Sequence, residues 1–168
     1  FGRVPVFPPS AMGTLSHVGP LTRTVEDAAM MLNIMVQPDS RDWSALPYDP
    51  WDFRTGLDLG VRHLSVAFSP SLGYARVDPE VAAIVADGVK VLEAQGAMIE
   101  EVDPGFDDPK EMFSAHWDLG ASRLVDKVPQ DLRSQMDPGL LQIAERGRQL
   151  TLARYADAVE ARVELGRK

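Results

Sequence analysis

Apolar residues recur along this chain at helical spacing over five stretches and form strand-like runs over two more, with proline-rich polar segments between them. The first helical pattern is Val25, Ala28, Leu32 and Met35, behind Thr24, whose hydroxyl can accept a backbone N–H at a helix start. Asp27 would meet the positive end of the helix dipole there, and Arg23 is placed to pair with it, so the two read as a clamp on the loop from Ser16 to Thr22. Leu64 to Phe68 predicts a short buried strand and Ala97 to Val102 a second one. Between them Val81, Ile84, Val85, Gly88 and Leu92 predict one helical face, closed by Gly96. The three elements make a βαβ unit. Two parallel strands bury too little to stand as a sheet, so the pattern implies further strands outside this sequence.

Three Asp-Pro dipeptides, Asp78-Pro79, Asp108-Pro109 and Asp137-Pro138, predict helix starts in which Asp caps and Pro takes the first helical position. The second has Glu111 at the third helical position, the arrangement of a capping box. Beyond it the stripes are Met112, Phe113, His116, Trp117, Gly120 and Leu124; then Leu140, Leu141, Ile143 and Ala144; then Leu152, Tyr155, Val159 and Val163. Gln37 to Arg62, carrying Trp43, Tyr48, Trp51 and Phe53, predicts a long packed surface loop.

At 168 residues, 45% hydrophobic and 7% aromatic, the chain has the makeup of one α/β domain with a core. Its formal charge of -8 disfavours nucleic acid and anionic membranes as direct partners. With no cysteine, disulfides and thiolate metal sites are excluded and cytoplasmic residence is the expectation. Apolar runs such as Ala28 to Leu32 are far short of the roughly 20 residues that cross a bilayer. Both ends read as cut from a longer protein: the first residue is Phe1, and Ala158 to Lys168 still carries a helical pattern.

Candidate chemistry is sparse. His17, His63 and His116 lack metal-ligand spacing, and the acidic groups Asp39/Asp42, Asp49/Asp52 and Asp103/Asp107/Asp108 lack the form of a calcium loop. They read as caps, turns and solvated faces. No phosphate-binding glycine loop, nucleophile elbow or zinc helix motif occurs, and a lone serine such as Ser16 or Ser71 has no base placed beside it.

The run His17-Val18-Gly19-Pro20-Leu21-Thr22-Arg23-Thr24-Val25-Glu26-Asp27-Ala28-Ala29 carries most of the identity. With Phe1-Gly2-Arg3-Val4-Pro5 before it and Pro38-Asp39-Ser40-Arg41-Asp42 after it, it resembles the segment C-terminal to the catalytic motif of the amidase signature family. The resemblance is sharpest over Phe1 to Asp42, moderate over Leu64 to Val102 and weak beyond Asp108. It implies a mixed, mostly parallel sheet covered by helices, of which this chain is one incomplete domain. Residues 1–62 would be the signature loop, first helix and long loop, 63–102 the βαβ unit, and 108–168 the helical pocket region.

The family's chemistry resembles a Ser, cis-Ser, Lys triad on a Gly/Ser-rich stretch. No residue here matches those positions: Lys90, Lys110, Lys127 and Lys168 lie in or beside predicted helices and loops, and no Gly-Gly-Ser-Ser occurs. The resemblance therefore implies scaffold and pocket wall, with Phe113, His116 and Trp117 as substrate-binding residues, no catalytic residue and no cofactor. The parent would hydrolyse small-molecule amides, with a homodimer as a possible assembly. Two alternatives accompany this reading: the amidase subunit of a glutamine-dependent tRNA amidotransferase, and a non-catalytic binding domain of amidase ancestry.

Overall fold

The computed structural model describes residues 1–105 and 107–168 and contains five α-helices and one pair of parallel strands among them. In order they are α1 (Val25–Met35), β1 (Ser65–Phe68), α2 (Pro79–Ala94), β2 (Met98–Glu101), α3 (Lys110–Asp126), α4 (Pro138–Arg148) and α5 (Leu152–Leu165). Short 3-10 turns occupy Gly13–Leu15 and Gln130–Gln135. The chain divides into two units, residues 1–55 with 110–163 and residues 56–109 with 164–168.

In the first unit the core is the seam between α3 and α4. Ala121, Val125 and Ala144 are fully buried there, with Ser122 and Gly147 beside them. A Cβ at Gly147 would overlap the carbonyl of Asp118 and sit 3.0 Å from Ser122 Cβ, so the backbones approach as closely as only glycine permits. Asp118 also accepts two hydrogen bonds from Arg146, Nε–Oδ2 2.9 Å and Nη2–Oδ1 3.0 Å, a bidentate pair across the seam. Farther along, Arg148 Nη2 donates to Asp126 Oδ1 at 2.9 Å. The predicted large apolar stripe of α3 is not the face that packs on α4. Phe113, Trp117 and Leu124 stay exposed, because small side chains at 118, 121, 122 and 125 allow the close approach and aromatic ones would prevent it. In α5 the same correction holds: Ala158 is buried, whereas Leu152, Val159 and Val163 are exposed.

Helix α1 starts as its sequence predicts, with Thr24 Oγ1 accepting from Asp27 N–H at 3.1 Å. The clamp assigned to Arg23 and Asp27 is made instead by hydroxyls, Thr22 Oγ1 donating to Thr24 O at 2.7 Å. Ala29 and Val36 are buried, while Val25 and Ile34 lie outward. The long segment after α1 has no regular structure but is tied down by side chains. Asn33 donates to Asp52 Oδ1 at 2.6 Å and accepts from Phe53 N–H at 2.9 Å. Asp42 accepts from Val6 N–H at 2.8 Å and from the backbone and hydroxyl of Ser44, while Leu46 N–H donates to Gly2 O. The packed loop expected here is only partly packed: Trp43 is 93% exposed. In this segment the side-chain and backbone donors of Arg41 hold the Asp39 carboxyl down to about 2 from the ordinary 3.8, and Arg41 lies 4.7 Å over the Phe7 ring.

The second unit holds the βαβ element. β1 and β2 pair in parallel, Ser65 opposite Met98 and Phe68 opposite Glu101. Asp78 caps α2 by accepting from Glu80 N–H at 2.8 Å, with Pro79 in the first turn. At the other end Gly96 (φ 98°) donates to Glu93 O and Ala97 to Leu92 O, the two bonds of a Schellman cap. The strand expected to be buried is not: within it Val66 and Phe68 are half-buried and the rest exposed. Of the predicted apolar face of α2 only Leu92 is half-buried, joined by Ala82, Ala86 and Val89, whereas Val81, Val85 and Gly88 are exposed and Ile84 is 65% exposed. Two four-residue strands cover only a narrow strip of a 16-residue helix.

The chain exposes 12556 Å². A folded 18.4 kDa monomer exposes roughly 8,200 Å², and two separate domains of these sizes about 9,700 Å². Exposed apolar side chains on α1, α2 and α3 are part of the difference.

Gly147→Ala is expected to lower stability to urea by about 2 kcal/mol through overlap at the seam. Gly88→Ala, with open space around it in α2, is expected to raise stability by about 0.5–1 kcal/mol. A smaller loss for Gly147→Ala than for an exposed α3 substitution would show that the seam is not the tightest contact. The Asp39 pair contributes stability above pH 3.8 that is lost as pH falls through about 2. NMR titration of the Asp39 carboxyl should give a midpoint near 2, returning toward 3.8 in Arg41→Ala.

Candidate functional site

The first unit contains a half-open groove of about 600 Å³ between residues 10–14, the middle of α3 and the second half of α5. Its apolar wall is Ala11, Met12, Leu119, Val159 and Val163. Gly120 sets the position of α3 against this segment, since a Cβ there would overlap Met12 Sδ and come within 2.8 Å of Ala11 O. The segment itself is a hydrogen-bonded turn. Ser10 Oγ is 2.5 Å from Ser16 Oγ and accepts from Met12 N–H at 3.1 Å, and Gly13 N–H donates to Ser10 O at 3.0 Å. From α5, Arg162 donates to Thr14 Oγ1 and, at 2.8 Å, to Thr14 O.

His116 lies in this groove. Its Nδ1 is 3.0 Å from Met112 O, one turn back on α3. A carbonyl oxygen only accepts, so Nδ1 carries the proton and, in the neutral ring, Nε2 is the acceptor. The imidazole packs against Tyr155 of α5, ring centres 5.3 Å apart and tilted by 54°. Phe113 and Trp117, the other two residues singled out in the sequence, stack on one another at 5.8 Å, 17° from parallel, and neither lines the groove. They are 47% and 40% exposed. The trio is thus divided between an aromatic patch and a groove.

Sequence reasoning placed Tyr155 in a core stripe and singled out neither Met12 nor Arg162 for this site. The available signal was the spacing of Tyr155, Ala158 and Arg162, which share one face of α5. His17 is elsewhere, exposed, its Nδ1 3.1 Å from Leu15 O and its ring edge-on to Phe1. His63 has a left-handed backbone (φ 68°) and donates its N–H to Gly96 O at 2.8 Å, a strand-entry role. A second, charged groove of about 430 Å³ lies over the α3/α4 seam, where Arg154 Nη2 is 3.8 Å from Glu111 Oε2 beside the Asp118–Arg146 pair. Among the described residues no three His, Cys, Asp or Glu side chains are grouped to hold a metal ion, and no helix is long and apolar enough to cross a membrane.

The family model described as Amidase matches residues 1–167. The chain belongs to the amidase family. Its amidase relatives include an acylamidase of Rhodococcus erythropolis, 36% identical over 81% of this chain and 29% of that protein. A glutamyl-tRNA(Gln) amidotransferase subunit of Ligilactobacillus salivarius is 36% identical over 53% of this chain and 18% of that protein. Among solved structures, a bacterial aryl acylamidase of the amidase signature enzymes superposes with a TM-score of 0.72 at 26% identity, over 94% of this chain and 35% of that one. The chain therefore spans about a third or less of the amidases it matches.

Arg162→Ala is expected to free the turn at residues 10–14, measured as faster amide hydrogen exchange at Gly13 and Leu15 with α3 protection kept. Unchanged exchange in the turn would show that Ser10 and Gly120 hold it without Arg162.

Proposed function

We propose that this chain is the central segment of an amidase that hydrolyses carboxamide C–N bonds. Attack by an activated serine outside residues 1–168 would form the C–O bond of an acyl-enzyme and break the C–N bond, with the proton passing to the leaving amine or ammonia, and water would then release the acid. This segment serves as scaffold and pocket wall. The observation that carries the reading is the groove that joins residues 10–14, within the stretch of sharpest family resemblance, to His116 on α3. Its volume is in the range of small-molecule sites, and its lining mixes apolar side chains with Ser10, Thr14, His116, Tyr155 and Arg162. Phe113 and Trp117 form an exposed stacked pair outside this groove, where a longer substrate would reach them.

The partner in this reading is a small amide in the cytoplasm, with no nucleic acid bound directly, and the apolar faces of α1 and α2 are available for self-association into a homodimer. The amidotransferase reading shares the family, but such subunits match 53–61% of this chain against 81% for the acylamidase. That difference favours an amidase acting on free amides.

The full-length protein and the 168-residue chain, at equal concentration, should be given a panel of aliphatic and aromatic amides. The expected result is ammonia or amine release from the first and none from the second. Turnover by the 168-residue chain would place the chemistry in residues assigned here to scaffold. Inactivity of both would favour a non-catalytic binding domain.

A further inference from the structure

The groove has polar capacity that its own contacts leave unused. Arg162, the one charged residue lining it among the described residues, is turned onto Thr14 by two of its N–H groups. Among the described residues no carboxylate lines it to receive a cation. His116 spends Nδ1 on Met112 O, which leaves Nε2, on the opposite side of the ring, as an acceptor. The Tyr155 ring packs beside it, and its hydroxyl has no partner among the described residues. An acceptor and a hydroxyl therefore serve a groove whose other lining is the apolar Met12, Leu119, Val159 and Val163 together with Ser10 and Thr14, whose side-chain oxygens are already hydrogen-bonded.

We propose that His116 and Tyr155 are specificity-determining residues, and that the groove selects amides carrying a flat group with its own hydrogen-bond donor, an O–H or N–H directed to His116 Nε2. The inference rests on the amidase reading above and names the substrate class of that same site. The two tilted rings favour a planar aromatic group, which meets them edge or face and fills the space beside Met12. A cationic group is disfavoured, since among the described residues no carboxylate lines the groove. A site built to accept a donor rejects the analogue lacking it, because its polar atom is left unpaired.

The test uses the full-length protein with two anilides that differ only by a para-hydroxyl on the aryl ring, and a third in which that hydroxyl is methylated. The wild type is expected to favour the hydroxyl substrate in kcat/KM by about tenfold over both others, mainly through KM. His116→Phe should abolish the preference, and His116→Gln, which keeps an acceptor, should restore part of it. Tyr155→Phe removes a single oxygen and should reduce the preference with the fold intact. A preference that survives in both His116→Phe and Tyr155→Phe, or no preference in an active wild type, would overturn the assignment and leave the amidase reading standing. Failure of the full-length protein to hydrolyse any amide would overturn both.

Discussion

At the crossing of α3 and α4, Asp118 meets α4 twice: its carbonyl lies against the bare Cα of Gly147, and its carboxylate takes the fork of Arg146. The first contact fixes how close the helices come and the second fixes how they are rotated. The Asp118 side chain is 12% exposed, so taking away its cation would leave a carboxylate nearly out of water, a costly state. With α3 fixed in this way, Gly120, between Asp118 and Ala121 in the sequence, lies against the turn at residues 11–12. His116 lies one turn before Gly120, and the groove follows from that geometry.

Local chemistry was legible in the sequence wherever a single residue decides it. Thr24, Asp78 and Asp137 are caps in the structure because each offers an oxygen to the backbone two or three residues ahead, and Gly96 ends α2 because a left-handed residue is needed there. The parallel pairing of β1 and β2 was also legible, from two short strand patterns separated by one helix. Which helix face is buried was not legible. Periodicity weights large apolar side chains, whereas the α3/α4 contact is made of Ala121, Ser122, Ala144 and Gly147, which carry little hydrophobic signal and much steric permission. The Asp118–Arg146 pair spans 28 positions and leaves no mark on local spacing.

The candidate site follows the same division. His116 stood out as a titratable residue in an aromatic stripe, but its separation from Phe113 and Trp117 depends on where α5 lies, which no local pattern encodes. Tyr155 and Arg162 looked like ordinary members of an amphipathic helix, and their role is set by a turn almost 150 residues earlier in the chain.

Helix α3 uses different side chains for holding and for display. Asp118, Ala121, Ser122 and Val125 carry the packing, while Phe113 and Trp117 face outward and His116 faces the groove. Substitutions on the display side remove little buried surface, so this helix can change what it presents without loosening what it supports. A family that handles many amides on one scaffold would find in such a helix a place where selection for new ligands and selection for folding act on separate residues.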